Sequence, residues 1–117
     1  MHINFHYFRY DQAYEGWDLW LWPKGQEGMA YPFTENVPLP DHPQSSMRRA
    51  TINLPSLSVP EIGFLLRRNG WEERDWTSDR YVNLVSFPPA QDPQVYLVQN
   101  TEQVYLHPGR ISFIPTA

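Results

Sequence analysis

Tyr14-Glu15-Gly16-Trp17-Asp18-Leu19-Trp20-Leu21-Trp22-Pro23 alternates from Trp17 onward with a period of two, the repeat of a strand whose successive side chains point to opposite faces. Trp17, Leu19 and Leu21 share one face; Asp18, Trp20 and Trp22 share the other. A row carrying two leucines makes a good core face, and an aspartate prefers water, so the Trp20 and Trp22 pair falls on the side away from the core. At the rise of an extended chain the two attachment points lie about 6.6 Å apart. Two readings of the pair fit this pattern. The indoles form an outward aromatic platform, or they pack beneath a loop as a second apolar layer. The alternation alone does not choose between them.

Outward from this segment, twelve prolines spread from Pro23 to Pro115 leave no long window for an uninterrupted helix. Short β-type runs separated by turn residues take its place, the pattern of an all-β sandwich or barrel. The runs predict strands at Ile3 to Tyr10, Trp17 to Trp22, Met29 to Phe33, Met47 to Leu54, Ile62 to Arg68, Tyr81 to Ser86, Gln94 to Gln99 and Val104 to His107. In the first, Ile3, Phe5, Tyr7 and Arg9 face one way and Asn4, His6, Phe8 and Tyr10 the other, so both faces are largely aromatic. Such a strand belongs inside a sheet, with one face packed and the other partly covered. The stretch Thr34 to Ser46, with Pro38, Pro40 and Pro43 among polar residues, reads as a surface loop. Asn69-Gly70 is a strong turn pair, so Trp71 opens a loop that either lies near the Trp20 and Trp22 face or plugs the end of the sandwich. Residues 1–108 make one module, and 109–117 read as a tail or linker toward a downstream domain, in which Ile111 to Ile114 forms one further strand or begins the connection.

Composition excludes several classes. A formal net charge of -4 argues against a nucleic-acid module, which needs clustered Lys and Arg. The basic doublets Arg48-Arg49 and Arg67-Arg68 each place one arginine per strand face, where solvation is the simplest role. With no cysteine, the chain has neither a disulfide framework nor a thiolate nucleophile. No apolar run approaches the length of a bilayer span, and the start Met1-His2-Ile3-Asn4 lacks the pattern of a signal peptide. His2, His6, His42 and His107 show no paired metal spacing. Glu72, Glu73, Asp75 and Asp79 are carboxylates close in sequence, yet a charged loop gives no sign of the cleft and the protonated partner that glycoside hydrolysis requires. No nucleophile elbow and no Gly-rich phosphate loop is present. The expectation is a non-catalytic module without metal or cofactor.

The aromatic content is high, at 15% with five Trp and seven Tyr. Flat aromatics suit a sugar, whose pyranose ring has an apolar face of C–H groups and a rim of hydroxyls. Stacking supplies contact area, and polar side chains at the rim supply specificity.

At this point a family resemblance enters. Tyr7-Phe8-Arg9-Tyr10-Asp11 followed by Tyr14 to Pro23 resembles the opening of carbohydrate-binding module family 41, the pullulanase-associated domain. Gly28 to Thr34, Ile62 to Arg67, Trp71 to Asp75, Asp79-Arg80-Tyr81, Val95 to Asn100 and Val104-Tyr105 are similar to later pieces of that family in the same order. The resemblance covers roughly His2 to His107 and implies an immunoglobulin-like antiparallel β-sandwich. It also implies binding of α-1,4-glucans such as pullulan, glycogen, amylose or maltodextrin, with or without α-1,6 branches, by stacking glucose on Trp20 and Trp22. The implied setting is a monomeric module covalently linked to a glycoside hydrolase family 13 pullulanase, secreted or at the cell surface. In the family a lysine and an aspartate reach sugar hydroxyls; the matching positions are Arg74 and Asp79. Arg74 departs from the lysine, replacing a compact point donor with a planar fork. Trp71 joins these as a further ligand-binding candidate. The alternative is a module that docks on the rest of its parent enzyme through the same tryptophans, without binding glucan itself.

Overall fold

A computed structural model describes residues 2–39, 44–53, 61–83, 93–100 and 104–105, apart from the side chains of 76–79 and 105. Its strands are β1 (His2–Phe8), β2 (Trp17–Pro23), β3 (Met29–Pro32), β4 (Glu35–Pro38), β5 (Ser46–Asn53), β6 (Glu61–Arg68), β7 (Glu73–Asn83), β8 (Gln94–Val98) and β9 (Val104–Tyr105). They form a five-stranded sheet in the order β4-β5-β1-β8-β9 and a four-stranded sheet in the order β3-β2-β6-β7. The architecture is the all-β sandwich that the alternation predicts. One pairing departs from an antiparallel scheme: β1 and β8 run parallel, from Asn4 beside Gln94 to Phe8 beside Val98.

The two sheets meet through the rows that alternation assigns inward. Ile3, Phe5 and Tyr7 of β1, Ala50 and Ile52 of β5, and Val95 and Leu97 of β8 pack against Trp17, Leu19, Leu21, Ile62, Phe64, Leu66 and Val82 of the other sheet. Phe5 meets Phe64 edge to face across the interface, with ring centroids 5.3 Å apart. Leu19 is fully buried and Trp17 is 8% exposed, so the leucine row and Trp17 are core. The outward residues of β1 are covered too: Phe8 joins Leu39, Met47, Tyr96 and Val98 in a second apolar cluster, and His6 stacks on Tyr96 with centroids 4.4 Å apart. This accounts for a strand with aromatics on both faces.

A carboxylate is among the polar groups drawn into the interior. Asp75 of β7 is 7% exposed; its carboxylate accepts hydrogen bonds from the Tyr7 hydroxyl and, at 2.7 Å, from the Asn100 backbone N–H. The Arg9 guanidinium donates to the Tyr7 hydroxyl at 2.7 Å and lies over the Trp17 ring at 4.5 Å. A buried carboxylate needs such donors to offset its lost hydration. Burial, reinforced by the neighbouring Asp75, pushes the Tyr7 phenol well above its ordinary range. The network ties β1, β7 and the turn after β8 together, and that turn is made possible by Asn100 at φ 56.

Two strand expectations need correction. The stretch Thr34 to Ser46 is not all loop, because β4 lies within it and pairs with β5 from Glu35 beside Arg49 to Pro38 beside Ser46. As the outer strand of its sheet, β4 tolerates a proline that a central strand would reject. The strand expected at Tyr81 begins eight residues earlier, at Glu73. Between the pairs Phe64 with Arg80 and Leu66 with Asp75 the register shifts, setting four residues of β7 against one of β6. That bulge breaks the alternation by which a strand is recognised. The expected strand ends at Leu54, Ser86 and His107, the 108 boundary, the 109–117 tail and the Ile111 to Ile114 run lie outside the described residues.

Candidate functional site

The outer face of the four-stranded sheet is built by pairing β2 with β6. Asp18 lies beside Arg67, Trp20 beside Leu65 and Trp22 beside Gly63, and cross-strand partners share a face. With Leu19, Leu21, Ile62, Phe64 and Leu66 committed to the core, this second set points away from it. On β7, Tyr81 lies beside Gly63 and Arg74 beside Arg67, which carries the face to the outer strand of the sheet. Trp20 and Trp22 are partly exposed. They are neither sealed in the interior nor free of the sheet.

Each indole rests on a glycine. A methyl group placed on Gly63 would collide with Cε2 and Cζ2 of Trp22, and one on Gly28 would collide with the same edge of Trp20. Neither glycine has a positive φ, so the requirement is room for a ring and not backbone freedom. Gly28 immediately precedes β3 and Gly63 belongs to β6, so the two rings lean toward opposite neighbours of β2. The alternation leaves open an outward platform of adjacent indoles or a layer packed beneath a loop; the sheet produces two separate, partly exposed seats.

Each seat has an upright partner. Trp71, in the turn between β6 and β7, meets Trp20 with centroids 5.4 Å apart and planes at 67°, and it is 55% exposed. The turn forms as Asn69-Gly70 predicts, with φ of 50° and 73°. Tyr81 meets Trp22 at 5.9 Å with planes at 87° and is 46% exposed. Two of the half-open aromatics thus stand on this one face, and contiguous exposed aromatic surface marks a binding surface; Tyr10, also half open, lies apart from them just past β1, against Phe8.

Charge holds the Trp20 seat in place. Arg67 donates to both Asp18 carboxylate oxygens, at 2.8 and 3.3 Å. Its guanidinium lies 4.6 Å from the Trp20 ring centre and 5.0 Å from that of Trp71. A guanidinium is planar and weakly hydrated, so it can lie against both rings while keeping its ion pair. Arg67 is therefore no solvated member of a doublet; it is buried within the site, whereas its neighbour Arg68 pairs with Glu73 at 3.1 Å.

The face brings together four of the five residues singled out from sequence. Trp20 and Trp71 are in contact and share Arg67, Trp22 stands on the same face in its own seat with Tyr81, and Arg74 is exposed there beside Arg67. Asp79 falls within β7, but its side chain lies outside the described residues, as does that of Trp76. Sequence reading missed Arg67, Tyr81, Gly63 and Gly28. The Gly63, Leu65, Arg67 row carried the signal, since it is the outward half of a strand whose other half is Ile62, Phe64, Leu66.

Other parts of the molecule are committed elsewhere. Asp75 points inward while Glu72 is exposed and Glu73 is held by Arg68, so these carboxylates do not converge on a cleft. His6 is 3% exposed and bonded to the Val95 carbonyl at 3.3 Å; among the described residues no three His, Asp or Glu side chains gather to hold a metal. A cleft of about 250 Å³ between Tyr14, Glu15, Trp17, Phe33 and Arg48 contains neither outer-face tryptophan.

With this geometry in place the comparison with known families is informative. Residues 1–106 match the family described as bacterial pullanase-associated domain, and the chain belongs to it. It is thus an accessory domain of the kind joined to pullulanases.

Proposed function

We propose that this pullulanase-associated domain binds α-1,4-glucan chains on the outer face of its four-stranded sheet, without catalysing a reaction, and so holds a covalently linked pullulanase against its polymer. The observation that carries the reading is the pair of partly exposed indoles, Trp20 and Trp22, each seated on a glycine and each flanked by a second, upright aromatic. Glucose rings stack their C–H faces on the indoles. Trp71 closes one side, while Arg74 and Asp79 of β7 serve the hydroxyl rim as donor and acceptor respectively. Pullulan, glycogen and maltodextrin all offer such runs of glucose.

The gain is in effective concentration. A module that engages a multivalent glucan keeps its tethered enzyme among further cleavage sites, and weak binding suffices for that. Two stacked sugars and a few solvent-facing hydrogen bonds give a Kd on the order of micromolar after ordering costs. The parent enzyme is placed outside the cell or at its surface in this reading, the setting that a bacterial pullulanase-associated domain fits.

Tryptophan emission tests the reading. Maltotetraose should shift the fluorescence of the isolated chain and saturate, and pullulan or glycogen cast into a native gel should retard it. A chain that ignores all three sugars would instead be using this face to dock on its parent enzyme.

A further inference from the structure

The geometry points to Tyr81 as a further glucan-binding residue, one that closes the Trp22 seat and hydrogen-bonds the sugar stacked there. This rests on the proposed glucan site and extends it across the sheet. Tyr81 stands on β7, the outer strand of the four-stranded sheet, directly across from Gly63. Gly63 is the residue that Trp22 lies upon. The phenol is therefore aligned with the indole and stands against it at 87°, so that the indole is a floor and the phenol a wall.

A pyranose lying on that floor presents its hydroxyl rim sideways, toward the wall. The phenol offers it one donor and one acceptor site in a single group. Among the described residues the Tyr81 hydroxyl makes no hydrogen bond, although the ring is 46% exposed and packed against Trp22. Two tyrosines packed at the core use theirs internally, Tyr7 on Asp75 and Tyr14 on the Ser46 carbonyl. A hydroxyl left open beside an apolar seat suits a partner that brings its own hydroxyls.

Titration of the whole chain with maltotetraose, followed by calorimetry, tests this with two variants. Tyr81→Phe keeps the wall and removes only the hydroxyl, and should weaken binding about fivefold, the loss of one hydrogen bond. Tyr81→Ala removes the wall as well and should weaken it about tenfold or more, with the far-UV circular dichroism unchanged. Binding of Tyr81→Phe equal to that of the parent chain overturns the inference. If only Tyr81→Ala is weakened, the phenol is a prop for Trp22 and not a sugar contact, which overturns it as well. Failure of the unmodified chain to bind is a different result, since it removes the glucan site itself.

Discussion

The Trp22 indole lies across Gly63 so closely that even one methyl group at that position would occupy the space of its ring. The glycine is paired with Trp22 on one side and Tyr81 on the other, so it forms the bed of the second seat. Gly63→Ala should leave the strand intact, because its backbone is not in the positive-φ region. It should lift the indole off the sheet and weaken maltotetraose binding about tenfold, while costing about 1–3 kcal/mol of stability through overpacking. Calorimetric titration beside a thermal melt separates the two effects; unchanged affinity would mean that the seating of Trp22 is immaterial.

Arg67 is the clamp of the other seat. Replacement by Met keeps an unbranched apolar stem but removes the guanidinium, and with it the Asp18 ion pair and both cation–π contacts, at a cost of about 1–2 kcal/mol for a partly buried pair. The near-UV circular dichroism should change as Trp20 and Trp71 lose their fixed orientation, with the far-UV spectrum retained. An unaltered near-UV spectrum would show that the arginine does not position them.

Tyr7→Phe probes the core, from β1 of the other sheet. It leaves the buried Asp75 carboxylate with one donor fewer, and a buried acceptor short of a partner costs about 1–2 kcal/mol. That lowers Tm by roughly 4–10 °C for a domain of this size. Glucan affinity should be unchanged, because Tyr7 faces the core. A fall in affinity at constant Tm would contradict this division of labour.

His6 makes stability depend on pH. Burial holds its imidazole below the ordinary value of 6.5, against the opposing pull of the Val95 carbonyl, with Arg49 adding to the depression. As pH falls below 6.5 the unfolded chain takes up a proton that the folded chain resists, so the unfolded state binds more protons and stability drops. Above that pH both states are neutral at His6 and the effect vanishes. The fall in Tm between pH 7.5 and pH 5.5 should therefore be smaller in His6→Phe than in the parent chain; equal falls would place the acid sensitivity elsewhere.

Much of this could be read from sequence because the deciding information was local. Leu19 and Leu21 against Trp20 and Trp22 separate the two faces of β2 by alternation alone, and Asn69-Gly70 announces the turn that presents Trp71. What escaped is set by pairing between distant segments. Gly63 matters only because β6 places it beneath Trp22, and Tyr81 only because β7 brings it to the same row. The bulge opposite Leu65 hides that alignment, since counting by twos along β7 fails there. The short strand β4 escaped for the same kind of reason: Pro38 at its end, with Pro40 and Pro43 beyond it, argues for loop until the position of β4 at the edge of the sheet is known. The parallel pairing of β1 with β8 joins segments roughly ninety residues apart, and no local pattern announces it.

The central claim is that two indoles on β2 receive glucose. Calorimetric titration of the double variant Trp20→Ala, Trp22→Ala with maltotetraose, with its fold verified by far-UV circular dichroism, tests it most directly. The account predicts that the heat of binding shown by the unmodified chain disappears while the spectrum stays the same. A folded double variant that binds the tetrasaccharide as tightly as the parent chain would contradict it.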